Sequence, residues 1–135
     1  MRTEQIRQYS VQEDHVYSDQ AVHAVEHQFW TLHDGAWLGR MDDGTIVRLE
    51  TPHITAQPLP SKTFYVGWHL QLTLTSDTWR TYPPSRQDGP FEAVYAITRR
   101  NDVNWNIEVT QGSETAPLNR DDALRVEAAD NQGDN

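Results

Sequence analysis

Neither glycine nor proline occurs in the first 34 residues, and all seven of each fall between Gly35 and Asn135. These two residues interrupt helices, glycine through backbone freedom and proline through its missing amide proton. The N-terminal quarter is the longest stretch free of breakers, and such a stretch permits a helix. Val22, Val25, Phe29 and Leu32 recur at helical spacing, with Ser18 or Asp19 placed as N-cap and Gly35 as stop, which predicts a helix over 19–33. The competing reading is a strand over 27–33 turning at Asp34-Gly35, because an Asp-Gly pair also opens hairpins. A short helix over 3–8 is compatible with the sequence, and 9–17 carries no decisive period.

After Gly35 the texture changes to strand and turn. Residues 36–41 and 45–51 flank Asp42-Asp43-Gly44 as a hairpin, and Pro52, Pro58 and Pro60 make a stiff connection that no continuous helix crosses. Over 64–76 the even positions Phe64, Val66, Trp68, Leu70, Leu72 and Leu74 are apolar, whereas the odd set, including Tyr65, His69, Gln71 and Thr73, is mostly polar. That alternation describes a strand with one face on a core and one toward solvent or a pocket. Residues 79–82 extend it, 83–90 form a loop, and 91–99 with 103–110 make a second hairpin around Arg100-Asn101-Asp102. Asn119 caps a helix reaching about Ala128, and 130–135 reads as a tail. The expected fold class is α+β: one N-terminal helical segment followed by an antiparallel, meander-like sheet, curved or closed halfway to a barrel. An all-β barrel or sandwich is the alternative. Residues 1–112 form one domain, with 113–135 as an acidic C-terminal extension.

The chain of 135 residues carries a formal charge of -9, concentrated at its two ends. Residues 61–112 are balanced, with five basic and five acidic side chains. Phosphate neutralisation needs clustered Lys and Arg, so direct nucleic-acid binding is not expected, nor is membrane attachment. No apolar run approaches the roughly 18 residues of a membrane span, and the polar start Met1-Arg2-Thr3-Glu4-Gln5 lacks the apolar stretch of a secretory leader. The expected location is the cytoplasm, or the host cytoplasm or virion for a virus-encoded chain. Cysteine is absent, which excludes disulfides, cysteine zinc sites and thiol nucleophiles.

Three groups of side chains are chemically suggestive. His23-Ala24-Val25-Glu26-His27 matches an H-x-x-E-H pattern, and a helix would place His23 and His27 one turn apart beside Glu26 as a weak metal candidate. Arg80, Arg86, Arg99 and Arg100, with Trp79, Tyr82 and Tyr95 interleaved, could line an anion or nucleotide pocket, with Trp105 a further pocket candidate, because guanidinium forks recognise planar charge and aromatic rings stack. Tyr65 and His69 share the polar face of the best strand, where His69 could serve as a base if Asp77 or Glu92 oriented it. For each group the competing reading is a solvated surface or a structural histidine. Phosphate-binding loops, nucleophile elbows and EF-hand loops are absent, no cofactor is implied, and no reaction is named by any motif.

The functional expectation is a non-catalytic, acidic binding protein acting by protein contact, such as an inhibitor, an immunity-type protein or a viral accessory protein. Trp30, Trp37, Trp79 and Arg86 are its candidate interface anchors. The alternatives are a small-molecule pocket protein, either a sponge or a small lyase or isomerase, and a structural subunit that pairs strand edges as a homo-oligomer.

Overall fold

The breaker-free segment forms helix α1, His15–Phe29, in a computed structural model that describes residues 15–59, 68–85, 88–99 and 105–133. The predicted helix over 3–8, the first part of the strand at 64–67 and the turn at 100–102 lie outside the described residues. With no breaker to start it at Ser18 or Asp19, α1 begins earlier than expected. It also ends earlier, because Thr31–His33 peels away as strand β1. Asp34 (φ 53°) and Gly35 (φ 80°) both adopt the left-handed conformation, which folds β1 directly back onto β2, Ala36–Arg40. Each sequence reading therefore holds for part of the segment, and Leu32 belongs to a strand rather than to the helix.

The remaining strands are β3 (Ile46–Glu50), β4 (His53–Pro58), β5 (Trp68–Ser76), β6 (Thr78–Tyr82), β7 (Phe91–Arg99), β8 (Trp105–Gln111) and β9 (Ala116–Pro117). They build two antiparallel sheets, one ordered β1-β2-β3-β6 with β9 also on β2, the other ordered β4-β5-β7-β8. The expected α+β class with antiparallel sheet is what the chain adopts, and the sheets do not close into a barrel. The proline-rich connection contains a strand after all. Because β4 is an edge strand, Pro58 removes no bond from the interior of the ladder.

Of the crossings from one sheet to the other, two are short bends that join strand to strand. β3 continues into β4 through Thr51-Pro52, and β5 continues into β6 through Asp77. The bend is sharp: Thr51 sits at φ 40°, an uncomfortable value for a β-branched residue. Ser76 Oγ lies 2.8 Å from the carbonyl oxygens of both Glu50 and Thr78, so its one hydroxyl proton can staple either side of the corner.

The main core fills the space enclosed by α1 and the facing sides of both sheets. Ala21, Val22, Val25 and Phe29 of α1 meet Trp37 and Leu49 of the first sheet and Leu70, Leu72, Tyr95 and Ile97 of the second, all of them buried. Within it, Trp30 Nε1 donates to the Tyr95 hydroxyl at 2.9 Å, satisfying a donor that burial would otherwise penalise. The reverse side of the first sheet carries a smaller core of Leu38, Leu118, Ala123 and Val126, covered by helix α2, Arg120–Gly133. Asn119 caps α2 as expected, its Oδ1 accepting the Asp122 amide at 2.8 Å. The helix outruns its expected end near Ala128 because no glycine or proline intervenes between Pro117 and Gly133. Among the described residues no helix is long and apolar enough to cross a membrane.

Gly39 is the position where β2 tolerates no side chain. A Cβ there would lie 2.9 Å from Thr115 Cβ and 3.0 Å from the Trp30 ring, while Thr115 Oγ1 donates to the Phe29 carbonyl at 2.8 Å. Gly39→Ala is therefore expected to destabilise the protein by about 1–3 kcal/mol through overpacking. Urea denaturation measures this, and an unchanged midpoint would contradict the close approach of the Thr115 segment to β2.

Candidate functional site: the grooves beside helix α1

The helical repeat that sends Val22, Val25 and Phe29 into the core leaves His23 and His27 exposed, one turn apart on the opposite face. Asp19 and Gln20 lie one turn earlier on that same side. Below them runs the end of β7. Its residues Phe91, Ala93, Tyr95 and Ile97 face the core, and Arg99 follows the same parity at the point where the core runs out. The residue paired with Arg99 on β8 is Trp105. The guanidinium carbon sits 4.5 Å from the Trp105 ring centroid, a cation–π contact, and Arg99 Nη1 donates to Gln20 Oε1. The arginine is thus held from two sides before any ligand arrives.

These side chains border a groove of about 710 Å³ whose lining includes Ala24. On the other side of the His23 and His27 ridge lies a second groove of about 630 Å³, lined by Glu26, Trp30, Thr31, Leu32, Pro117 and Leu118. Both lie open to solvent. Glu26 is 9% exposed, with Oε1 3.5 Å from His23 Nδ1. Thr31 Oγ1 donates to the Leu118 carbonyl and fixes the far wall. The arrangement offers a rigid cation, an indole face and two imidazoles on an accessible surface, which suits recognition of anionic or planar groups. As for metal chemistry, no three His, Asp or Glu side chains among the described residues converge as a ligand set.

The structure redistributes the sequence candidates. It brings His23 and His27 together with Arg99 and Trp105, which belonged to separate groups. His69 points to the other side of the second sheet, since its neighbour Leu70 faces the core. The Glu92 position pairs with Thr75, six residues along β5 from His69 and therefore roughly 20 Å away, and Asp77 is farther still, so neither orients that imidazole. Trp79 faces the space between the sheets, whereas Arg80 and Tyr82 lie on the reverse side of β6, with Tyr82 against the smaller core. There the position opposite Arg80 is Arg48, a buried residue whose Nε donates to Glu50 Oε1 at 2.6 Å and whose Nη1 has no hydrogen-bond partner among the described residues. Tyr65, Arg86 and Arg100 lie outside the described residues. Trp30 and Trp37, expected as interface anchors, are core residues at 1% and 0% exposure, because both fall on inward-facing positions next to α1.

Three residues of the groove that holds Arg99 were not anticipated as site residues: Asp19, Gln20 and Ala24. Their spacing of three or four from His23 and His27 is a usable signal once the helix is granted. Arg48 had no signal, since a lone arginine between Val47 and Leu49 reads as the outward residue of an alternating strand. Comparison of the chain with family models, with curated proteins and with solved structures returns no match.

Proposed function

We propose that the protein is a non-catalytic binding protein that engages a partner protein through the grooves beside α1. The observation supporting this most directly is Arg99, stacked on Trp105 and tied to Gln20 at the edge of an open groove. Arginine and tryptophan are the residue types that most often dominate interface energies, and a side chain already immobilised loses little entropy on docking. A carboxylate on the partner is the complement of the guanidinium. The openness of both grooves favours a protein surface over an enclosed small ligand.

A photo-crosslinking amino acid at Ala24 tests the reading, with Thr73 on the far side of the second sheet as the control position. The expected outcome in the native host is one discrete adduct from position 24 and none from position 73. Arg99→Ala should weaken binding of the partner so identified by roughly thirtyfold, the scale of one interface hot spot. An adduct formed equally from both positions, or one indifferent to Arg99→Ala, would sink the proposal.

A further inference from the structure

The second sheet ends at the rung pairing Ser76 with Phe91, and beyond it β6 turns into the first sheet, where its strand partner is β3. A wedge-shaped cavity of about 500 Å³ opens between the diverging sheets, within the size range of small-molecule sites. Val47, Trp79 and Phe91 supply its apolar walls. The Trp79 ring is fixed in place: Nε1 donates to the Gly89 carbonyl at 3.1 Å, and the ring meets Phe91 edge-on at 5.4 Å between centroids. Asp43 brings a carboxylate to the rim, the Glu92 side chain turns instead to the outer face of the second sheet toward Gln111, and no Lys, Arg or His is among the described residues that line the cavity.

We propose that this wedge is a binding site for a small organic cation, an ammonium group carried on an apolar or aromatic body. The body fits against Trp79 and Phe91, and the ammonium is drawn both to the Asp43 carboxylate at the rim and to the negative face of the indole. Hydrogen bonds from Thr45 hold the Asp43 carboxyl below its ordinary range, so it is charged at neutral pH. Asp43 already accepts from the Thr45 amide, yet a carboxylate has about four lone-pair sites and keeps capacity for a further donor. This site is separate from the α1 grooves, and its test says nothing about them.

The experiment titrates the full chain with three probes of similar shape, 2-phenylethylammonium, 2-phenylethanol and phenylacetate, followed by ligand-observed NMR. The ammonium is expected to bind about tenfold more tightly than the alcohol, with the carboxylate weakest. Asp43→Asn replaces one exposed group, preserves shape, and should abolish the preference while leaving the alcohol unchanged. Ser113→Phe, which fills the wedge from its rim, should weaken all three. Equal affinities, a preference for phenylacetate, no binding by any probe, or a preference that survives Asp43→Asn would each overturn the assignment.

Discussion

Leu72→Ala should lower stability by about 2–5 kcal/mol, the loss that accompanies truncation of a fully buried leucine whose neighbours cannot collapse into the space. Leu72 is the residue for which the largest penalty is expected in the second sheet. It is 0% exposed, it lies on the interior strand β5, and its register partners are Ala56 on one side and Tyr95 on the other. The small Ala56 cannot fill the vacancy, and Tyr95 is tethered through its hydroxyl to Trp30. The adjacent Thr73 points to the outer face, so Thr73→Ala should change stability by only about 0.5 kcal/mol or less. Chemical denaturation of the two variants side by side measures the difference. Similar losses for both would mean that the faces of β5 are assigned wrongly.

Alkaline pH should destabilise the protein through Tyr95. Burial pushes its hydroxyl up to about 12 from 10.0, and the hydrogen bond donated by Trp30 only partly opposes the shift. The folded state holds the phenolic proton more tightly than the unfolded state does. The associated stability is therefore fully present below about pH 10, declines as the unfolded chain ionises, and is lost by about pH 12. Two units correspond to about 3 kcal/mol. Tyr95→Phe removes that part of the pH dependence, while at neutral pH it leaves the buried Trp30 Nε1 without its acceptor and costs about 1–3 kcal/mol. Urea titrations of both proteins from about pH 8 to about pH 11.5 separate this contribution from the other tyrosines, which are common to the two. A wild-type curve parallel to that of the variant would show that Tyr95 does not titrate as described.

Legibility of the fold followed the physics of each segment. β5 could be read because its even positions alternate with polar ones in a sheet buried on one side, so period and burial say the same thing. The end of α1 could not, because Leu32 satisfies the helical spacing of Val22, Val25 and Phe29 and also suits a strand. What decides it is the left-handed pair Asp34 and Gly35, whose turn claims Thr31 to His33 for pairing with β2. The strand inside the proline-rich connection was hidden because proline is tolerated at sheet edges, and edge position is a property of the assembled sheet.

The site was legible in its residue types but not in its grouping. Arg99 continues the inward parity of Phe91, Ala93, Tyr95 and Ile97, so its placement on the same face as the core was available from alternation alone. Its meeting with Gln20 was not, since that contact spans 79 residues and depends on how α1 lies across the second sheet. The same limit explains why Arg80 and Tyr82 were grouped with Trp79. Neighbours in sequence on a strand face opposite sides, and only the location of α2 shows that the Tyr82 side is covered.

Because β3 runs into β4 and β5 into β6, the two sheets are one ribbon folded across its width at Thr51-Pro52 and Asp77. A plate creased in this way cannot slide one half past the other. The motion left to it is a change of the angle at the crease. Trp79 and Phe91 stand on opposite halves, so that angle sets the width of the wedge between them, and the Ser76 hydroxyl spans the crease itself. Any molecule that pries the wedge open therefore works a lever whose fulcrum is Ser76, and the amides around Glu50 and Thr78 are where the strain would register.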